Sequence, residues 1–161
     1  MPMAQELGLG VTPWSPLRNG ILSGKFTRAN AGSPLTGRAA QRGLLVGERE
    51  YALIDTLAEI ARTRETSIAA IALAWVQCRA GVASTIIGAR TLDQLDDNLK
   101  ALDVVLSADD VAKLDAQSKQ QPTFTGMLEA IGRPVIQNGL TVNGITAPSW
   151  ALAPKSAAER H

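Results

Sequence analysis

Val82-Ala83-Ser84-Thr85-Ile86-Ile87-Gly88-Ala89-Arg90-Thr91-Leu92-Asp93-Gln94-Leu95-Asp96-Asp97-Asn98 is the stretch that decides the fold class. Residues 82–88 form a continuous apolar run too short for a helix, which predicts a buried strand. From Leu92 the period changes. Leu92, Leu95, Leu99 and Leu102 recur at three- and four-residue spacing and predict a buried helical stripe, with Asp93, Asp96, Asp97 and Lys100 facing away from it. Thr91 and Gln94 match a capping box at the start of that helix. A strand that runs straight into a helix is a β/α unit, and such units build parallel sheets.

Before this unit, the residues from Glu48 to Arg64 place Leu53, Ile54, Leu57, Ile60 and Ala61 at helical spacing. A second helix follows, capped by Thr66 or Ser67 and apolar over much of its circumference through Ile68, Ile71, Leu73, Trp75 and Val76; Gly81 ends it. Further back, Leu9-Gly10-Val11-Thr12-Pro13-Trp14 has the character of a short buried strand that stops at Pro13. Met1 to Leu7 reads as the last turns of a helix. Ser15 to Gly47 shows no sustained periodicity and is expected to be a long, ligand-facing connection. After the decisive unit, Ser107 and Asp110 signal another helix through Val111 and Leu114. From Gln120 onward periodicity is weak, with an Asn143-Gly144 turn signal. The expected organisation is two β/α units over 1–118 and a C-terminal tail over 119–161. Two parallel strands alone leave bare edges, which predicts a missing partner.

The chain has 161 residues, 45% of them apolar and 19% charged, the balance of a globular protein with one real core. Lys and Arg number 16 against 15 Asp and Glu, so no basic field draws nucleic acid or a membrane surface. The single cysteine, Cys78, rules out an internal disulfide and is expected to be a buried, inert thiol in a reducing cytoplasm. No run approaches the roughly 20 apolar residues that cross a bilayer.

Two segments carry residues suited to chemistry. Trp14-Ser15-Pro16-Leu17-Arg18-Asn19-Gly20, continuing to Gly24-Lys25, supplies amides, a hydroxyl and cations around small residues, which suits a pyrophosphate and equally describes a solvated loop. At the second, Gly88 and Arg90 precede a helix N-terminus, where amides and dipole favour an anion; Arg90 matches a bidentate phosphate partner. Gln94, Asp97 and Asn98 share the next face of that helix and could meet an adenine edge, while a capped surface helix is the plainer alternative.

These residues carry a family resemblance. Gly-Leu-Gly-Val-Thr-Pro-Trp-Ser-Pro-Leu at 8–17 and Gly-x-Leu-x-Gly-Lys at 20–25 resemble the aldo-keto reductases around their seventh barrel strand. Ile-Ile-Gly-Ala-Arg at 86–90, with Gln94, Asn98 and Leu-Ser-x-x-Asp at 106–110, resembles the eighth strand and the helices after it. The resemblance covers roughly residues 1–118. It implies the C-terminal portion of a (β/α)8 TIM barrel, incomplete in this chain, with Met1 an internal methionine.

By the same resemblance the full protein reduces carbonyls or oxidises alcohols with a nicotinamide cofactor, usually NADP(H). It implies Trp14, Ser15, Pro16, Leu17 and Lys25 along the nicotinamide and pyrophosphate, with Arg18 and Asn19 as neighbours. Gly88, Arg90, Gln94, Asp97 and Asn98 would hold the 2′-phosphate and adenine. Asp97 stands where the family often has Glu. The family's catalytic Asp, Tyr, Lys and His come from early strands and match nothing here: Tyr51, the one tyrosine, reads as a packed helix residue, and His161, the one histidine, as a solvated tail. The tail would cross the barrel mouth, where Trp150 meets substrate or merely staples the chain. Two functions follow: a fragment of an NADP(H)-dependent oxidoreductase acting on a small carbonyl, or a non-catalytic nucleotide-binding or assembly module that completes a barrel with another chain, its missing N-terminal half.

Overall fold

The computed structural model describes residues 1–119, 124–142 and 144–152. Two compact units divide the chain, Met1–Lys119 and Gln120–His161.

In the first unit three helices build the core. Glu48–Thr63 (called α3, after the short helices α1, Pro2–Glu6, and α2, Gly37–Gln41) begins where the Gly47 N–H donates to Glu50 Oε2 at 2.8 Å. Glu48 and Glu50 in its first turn complement the helix dipole. Its inward face is Ile54, Leu57, Ile60 and Ala61, all buried at the expected spacing. Ser67, not Thr66, caps α4 (Ile68–Gln77), its Oγ accepting from the Ala70 N–H at 3.0 Å. Ala69 to Ala74 are buried without a break, as an all-round apolar helix requires. After α5 (Leu92–Leu99), α6 (Ala108–Ser118) carries the full capping box: Asp110 N–H donates to Ser107 Oγ at 3.1 Å and Ser107 N–H to Asp110 Oδ2 at 3.0 Å. Leu114 of α6 is fully enclosed and joins the α3 and α4 residues in one cluster, to which the connection before α3 adds Ile21, Leu22, Phe26 and Ala39.

Residues 9–14 and 82–88 run parallel, as the helical crossover between them requires. Val11 bridges Val82 and Trp14 bridges Ile86, through Val11 N–H to Gly81 O at 2.8 Å, Ala83 N–H to Val11 O at 2.9 Å and Ile86 N–H to Pro13 O at 3.0 Å. At Gly10 the two segments pack tightly, and a Cβ there would lie 2.8 Å from Ala83 Cβ. The expected buried strands are corrected, however, to isolated bridges, and Leu9, Trp14, Ile86 and Ile87 are exposed. Among the described residues each segment pairs only with the other, and one shared ladder cannot cover four strand faces and two edges.

Four other expectations need correction. The Leu92, Leu95, Leu99 and Leu102 stripe lies on the surface, with Leu92 76% and Leu102 73% exposed, while α5 turns Asn98 inward at 7%. Period reveals an apolar face, not what lies against it. Cys78 is exposed because it follows the last residue of α4 as its C-cap, its thiol directed at Trp75 O. The capping box at Thr91 is half formed: Thr91 Oγ1 accepts from the Gln94 N–H, but Gln94 Oε1 accepts from the Arg90 N–H instead of closing on Thr91. Finally, the connection of 15–47 is partly folded, with 3-10 turns at Arg18–Ser23 and Arg28–Asn30 and α2 beyond them.

The second unit holds a helix that the reading of the sequence missed, α7 (Phe124–Gln137), with Pro134 inside it, although Phe124, Met127, Leu128, Ile131 and Val135 recur at helical spacing. A two-residue hairpin follows, β1 (Thr141–Val142) against β2 (Ile145–Thr146), with Gly144 at φ 74° as such a turn demands. Asn143 and His161 lie outside the described residues. The Trp150 N–H donates to Asn138 Oδ1 at 3.0 Å, a tie within this unit.

Candidate functional site

Both parallel segments end at one cleft of about 610 Å³ in the first unit, a size that suits a small-molecule site. The first contributes Trp14, Ser15, Pro16 and Leu17, and the second Ile86, Ile87, Gly88, Ala89 and Arg90. Asn19, Gly20, Ser23 and Lys25 come from the connection, and Gln94, Asp97 and Asn98 from α5. Of the twelve residues singled out in the sequence, eleven therefore line one cavity, though they lie up to 84 positions apart along the chain, from Trp14 to Asn98.

Arg18 is the exception. It turns to α3 and pairs with Glu50 Oε1 at 2.6 Å, tying the connection to that helix. Burial pushes the Glu50 carboxyl up, but the hydrogen bonds from Arg18 and from the Gly47 N–H outweigh it and hold the group below the usual carboxylate range.

The wall after Trp14 is tightly wound. Ser15, Arg18 and Asn19 all adopt left-handed backbone, with φ of 57°, 48° and 55°. Three such residues without glycine store strain of the sort found at ligand sites. The turn is held by Arg18 N–H to Ser15 O and Gly20 N–H to Leu17 O, both 2.9 Å, and by the Asn19 N–H donating to Ser15 Oγ at 3.1 Å. Lys25 Nζ reaches the cleft between two glycines, and a Cβ on Gly20 or Gly37 would come within 3.2 or 3.3 Å of that nitrogen.

On the far wall the Gln94 side chain accepts from the Arg90 N–H at 3.0 Å, so Gln94 shapes the turn that carries Arg90. Asp97 is engaged by Lys100 Nζ at 3.0 Å. Asn98 is buried and lines the cleft, and no side-chain hydrogen bond within the described chain satisfies its amide. Among the described residues no fully buried side-chain nitrogen or oxygen lacks a partner, so the amide atoms of Asn98 open onto the cleft, where water or a ligand can meet them.

Arg38 and Gln41 of α2 also line the cleft and were not picked out from the sequence. Their signal was a three-residue spacing on one face of a helix, in a segment too short to show periodicity. Lys25, Arg38 and Arg90 thus place three cations on one cavity in a chain with a net charge of only +1. Gly88 leaves open space where a Cβ would stand.

Tyr51 lies outside this wall, half-buried at the start of α3 with the Arg28 guanidinium 5.8 Å from its ring centre. Arg28 is held there by Glu48 and Asp55, whose hydrogen bonds raise its pKa further; the same pair keeps the Glu48 carboxyl low. Among the described residues no group of three or more His, Cys, Asp or Glu could hold a metal ion, and no helix is long and apolar enough to cross a membrane.

Comparison with known proteins bears on the same span. The profile of the Aldo/keto reductase family matches residues 1–119. An uncharacterized oxidoreductase, YrpG, of Bacillus subtilis is 38% identical over 106 residues, covering 66% of this chain and 31% of that protein. A probable voltage-gated potassium channel subunit beta of Oryza sativa subsp. japonica is 34% identical over 133 residues, 78% of this chain and 40% of its own. Probable aldo-keto reductase 1 of Glycine max is 27% identical over 154 residues, 95% of this chain and 41% of its own. The chain spans between 31 and 41% of the length of these relatives.

Proposed function

The chain belongs to the aldo/keto reductase family, and from that premise we propose that its cleft holds NADP(H) in an oxidoreductase that interconverts small carbonyls and alcohols. The observation that carries this reading is the convergence of Lys25, Arg38, Arg90 and the inward-turned Asn98 on one cavity. Three cations match a ligand bearing several phosphate charges, and the Asn98 amide, open to the cleft, matches a base edge with donors and acceptors. The residues present fit the cofactor.

Lys25 and Arg38, with the wound turn of 15–20, hold the pyrophosphate. Arg90, positioned by Gln94 and next to the N-terminus of α5, holds the 2′-phosphate. Asn98 meets the adenine; Asp97, engaged by Lys100, contributes at its edge. Trp14 presents an exposed ring as the platform for the nicotinamide, which supplies the hydride chemistry when bound. Neither Tyr51 nor His161 serves as proton donor in this reading; the catalytic Asp, Tyr, Lys and His belong to barrel strands preceding those seen here. Residues 1–118 form the barrel part and 119–161 an extension, in a protein of the cytoplasm.

A second reading is favoured by the exposed Leu92, Leu102 and Ile86: the chain is a non-catalytic nucleotide-binding or assembly module that completes a barrel with another chain. Titration of the purified chain with NADPH, followed by nicotinamide fluorescence beside an assay on 4-nitrobenzaldehyde, tests both. Binding without turnover is expected. Turnover overturns the placement of the catalytic residues, and absence of binding overturns the cofactor site.

A further inference from the structure

Trp14 and Arg42 form a stacked pair, with the guanidinium 5.4 Å from the ring centre. Trp14 lines the cleft, whereas Arg42, which occupies one face of its ring, is not among the lining residues. Both partners are anchored. Trp14 bridges Ile86, and Arg42 closes α2, which the fully buried Ala39 pins to the core. Arg18, Arg28, Arg64 and Arg79 each sit in a described ion pair, whereas Arg42 takes part in none of them. Its charge is therefore not offset by a bonded carboxylate among the described residues.

A ligand ring stacked on the face of Trp14 opposite Arg42 becomes the third layer of a sandwich: cation, indole, ligand. The negative face charge of an indole attracts one cation strongly, and a cation already in place on one face reduces what it offers a second. Oxidised nicotinamide is a cation and reduced dihydronicotinamide is neutral. We infer that Arg42 biases the Trp14 platform toward the reduced cofactor, making this residue a determinant of redox-state preference. The inference rests on the reading of the cleft as a nicotinamide cofactor site. Adding about 3.5 Å of stacking contact to the 5.4 Å separation puts the two charges about 9 Å apart. At that distance their repulsion changes affinity about three- to tenfold and is strongly screened at high salt.

The test is separate titration of NADPH and NADP+ into the parent chain, R42Q and R42K. In R42Q the preference for NADPH over NADP+ falls about three- to tenfold, chiefly through tighter NADP+ binding, and R42K keeps the parent preference within about twofold. At about 1 M salt, where the Debye length is about 3 Å, the difference between R42Q and the parent shrinks. An unchanged preference in R42Q, or equal weakening of both forms, overturns the inference and reduces Arg42 to a packing partner of Trp14, with the cofactor site intact. A parent chain that binds neither form overturns the cofactor reading itself, and the bias with it.

Discussion

Asn98 separates the ligand-facing from the structural side of α5. It is an amide turned inward on a helix whose leucines face out, and its polar atoms open onto the cleft. Because adenine is common to NADPH and NADH, Asn98→Ala should weaken both by a similar factor, about tenfold. Arg90 differs. On the proposed reading it meets the one phosphate that distinguishes the two cofactors, and a charge-assisted bond of about 1.5–3 kcal/mol should then make Arg90→Ala cost NADPH roughly 10- to 100-fold while sparing NADH. Paired titrations of the two variants with both cofactors check this. Loss of both cofactors in Arg90→Ala, or a selective loss in Asn98→Ala, would exchange or remove the assignments.

Among the elements, α3 was legible from its apolar period alone, and α4 and α6 because each combines such a period with a start signal; packing then follows from which face is apolar. The caps predict their own cost. Ser107→Ala should destabilise the first unit by about 1 kcal/mol, and Leu114→Ala, which empties a fully enclosed site, by about 2–5 kcal/mol. Leu102→Gln, at 73% exposure, should stay within about 0.5 kcal/mol in thermal unfolding. A Leu102→Gln cost as large as that of Leu114→Ala would show that the stripe is covered in solution. That stripe marks where sequence reading stops, because a heptad-like period is the same whether its partner is in the chain or not. α2 and α7 fail for other reasons. Five residues give no period to detect in α2, which hid Arg38 and Gln41, and in α7 the helix-breaking Gly126, Gly132 and Pro134 masked an apolar period at Phe124, Met127, Leu128, Ile131 and Val135 that was present all along. The cleft itself was largely legible, since strand ends feeding loops and a helix N-terminus announce where an anion can sit. Arg18 escaped because a surface arginine's choice between a ligand and a carboxylate depends on where Glu50 lies in space.

At the scale of the whole molecule, carboxylates hold the loops and caps of the first unit to its helices, and this sets its response to acid. Asp110 sits in a partly buried cap. Burial raises its pKa, but hydrogen bonds from the Ser107 N–H and hydroxyl and from Arg64 bring it below its ordinary 3.8. Glu50 is likewise held below 4.5 despite its burial, by Arg18 and the Gly47 N–H. A carboxyl with a lower pKa folded than unfolded binds fewer protons in the folded state, so protons favour unfolding. The stabilisation is complete above the ordinary values of 4.5 and 3.8 and is lost as pH falls through the lower folded-state values. Melting temperature should therefore be level from about pH 7 to 5 and fall steeply below about pH 4. Glu50→Gln with Asp110→Asn keeps neutral hydrogen-bonding groups at both sites and removes both titrations. The double variant should melt a few degrees lower at neutral pH, as partly exposed ion pairs of about 1 kcal/mol or less would give, and should lose less than the parent on acidification. An acid limb identical to the parent's would assign the response to other carboxylates, leaving these two as hydrogen-bond acceptors whose charge does not matter to the fold.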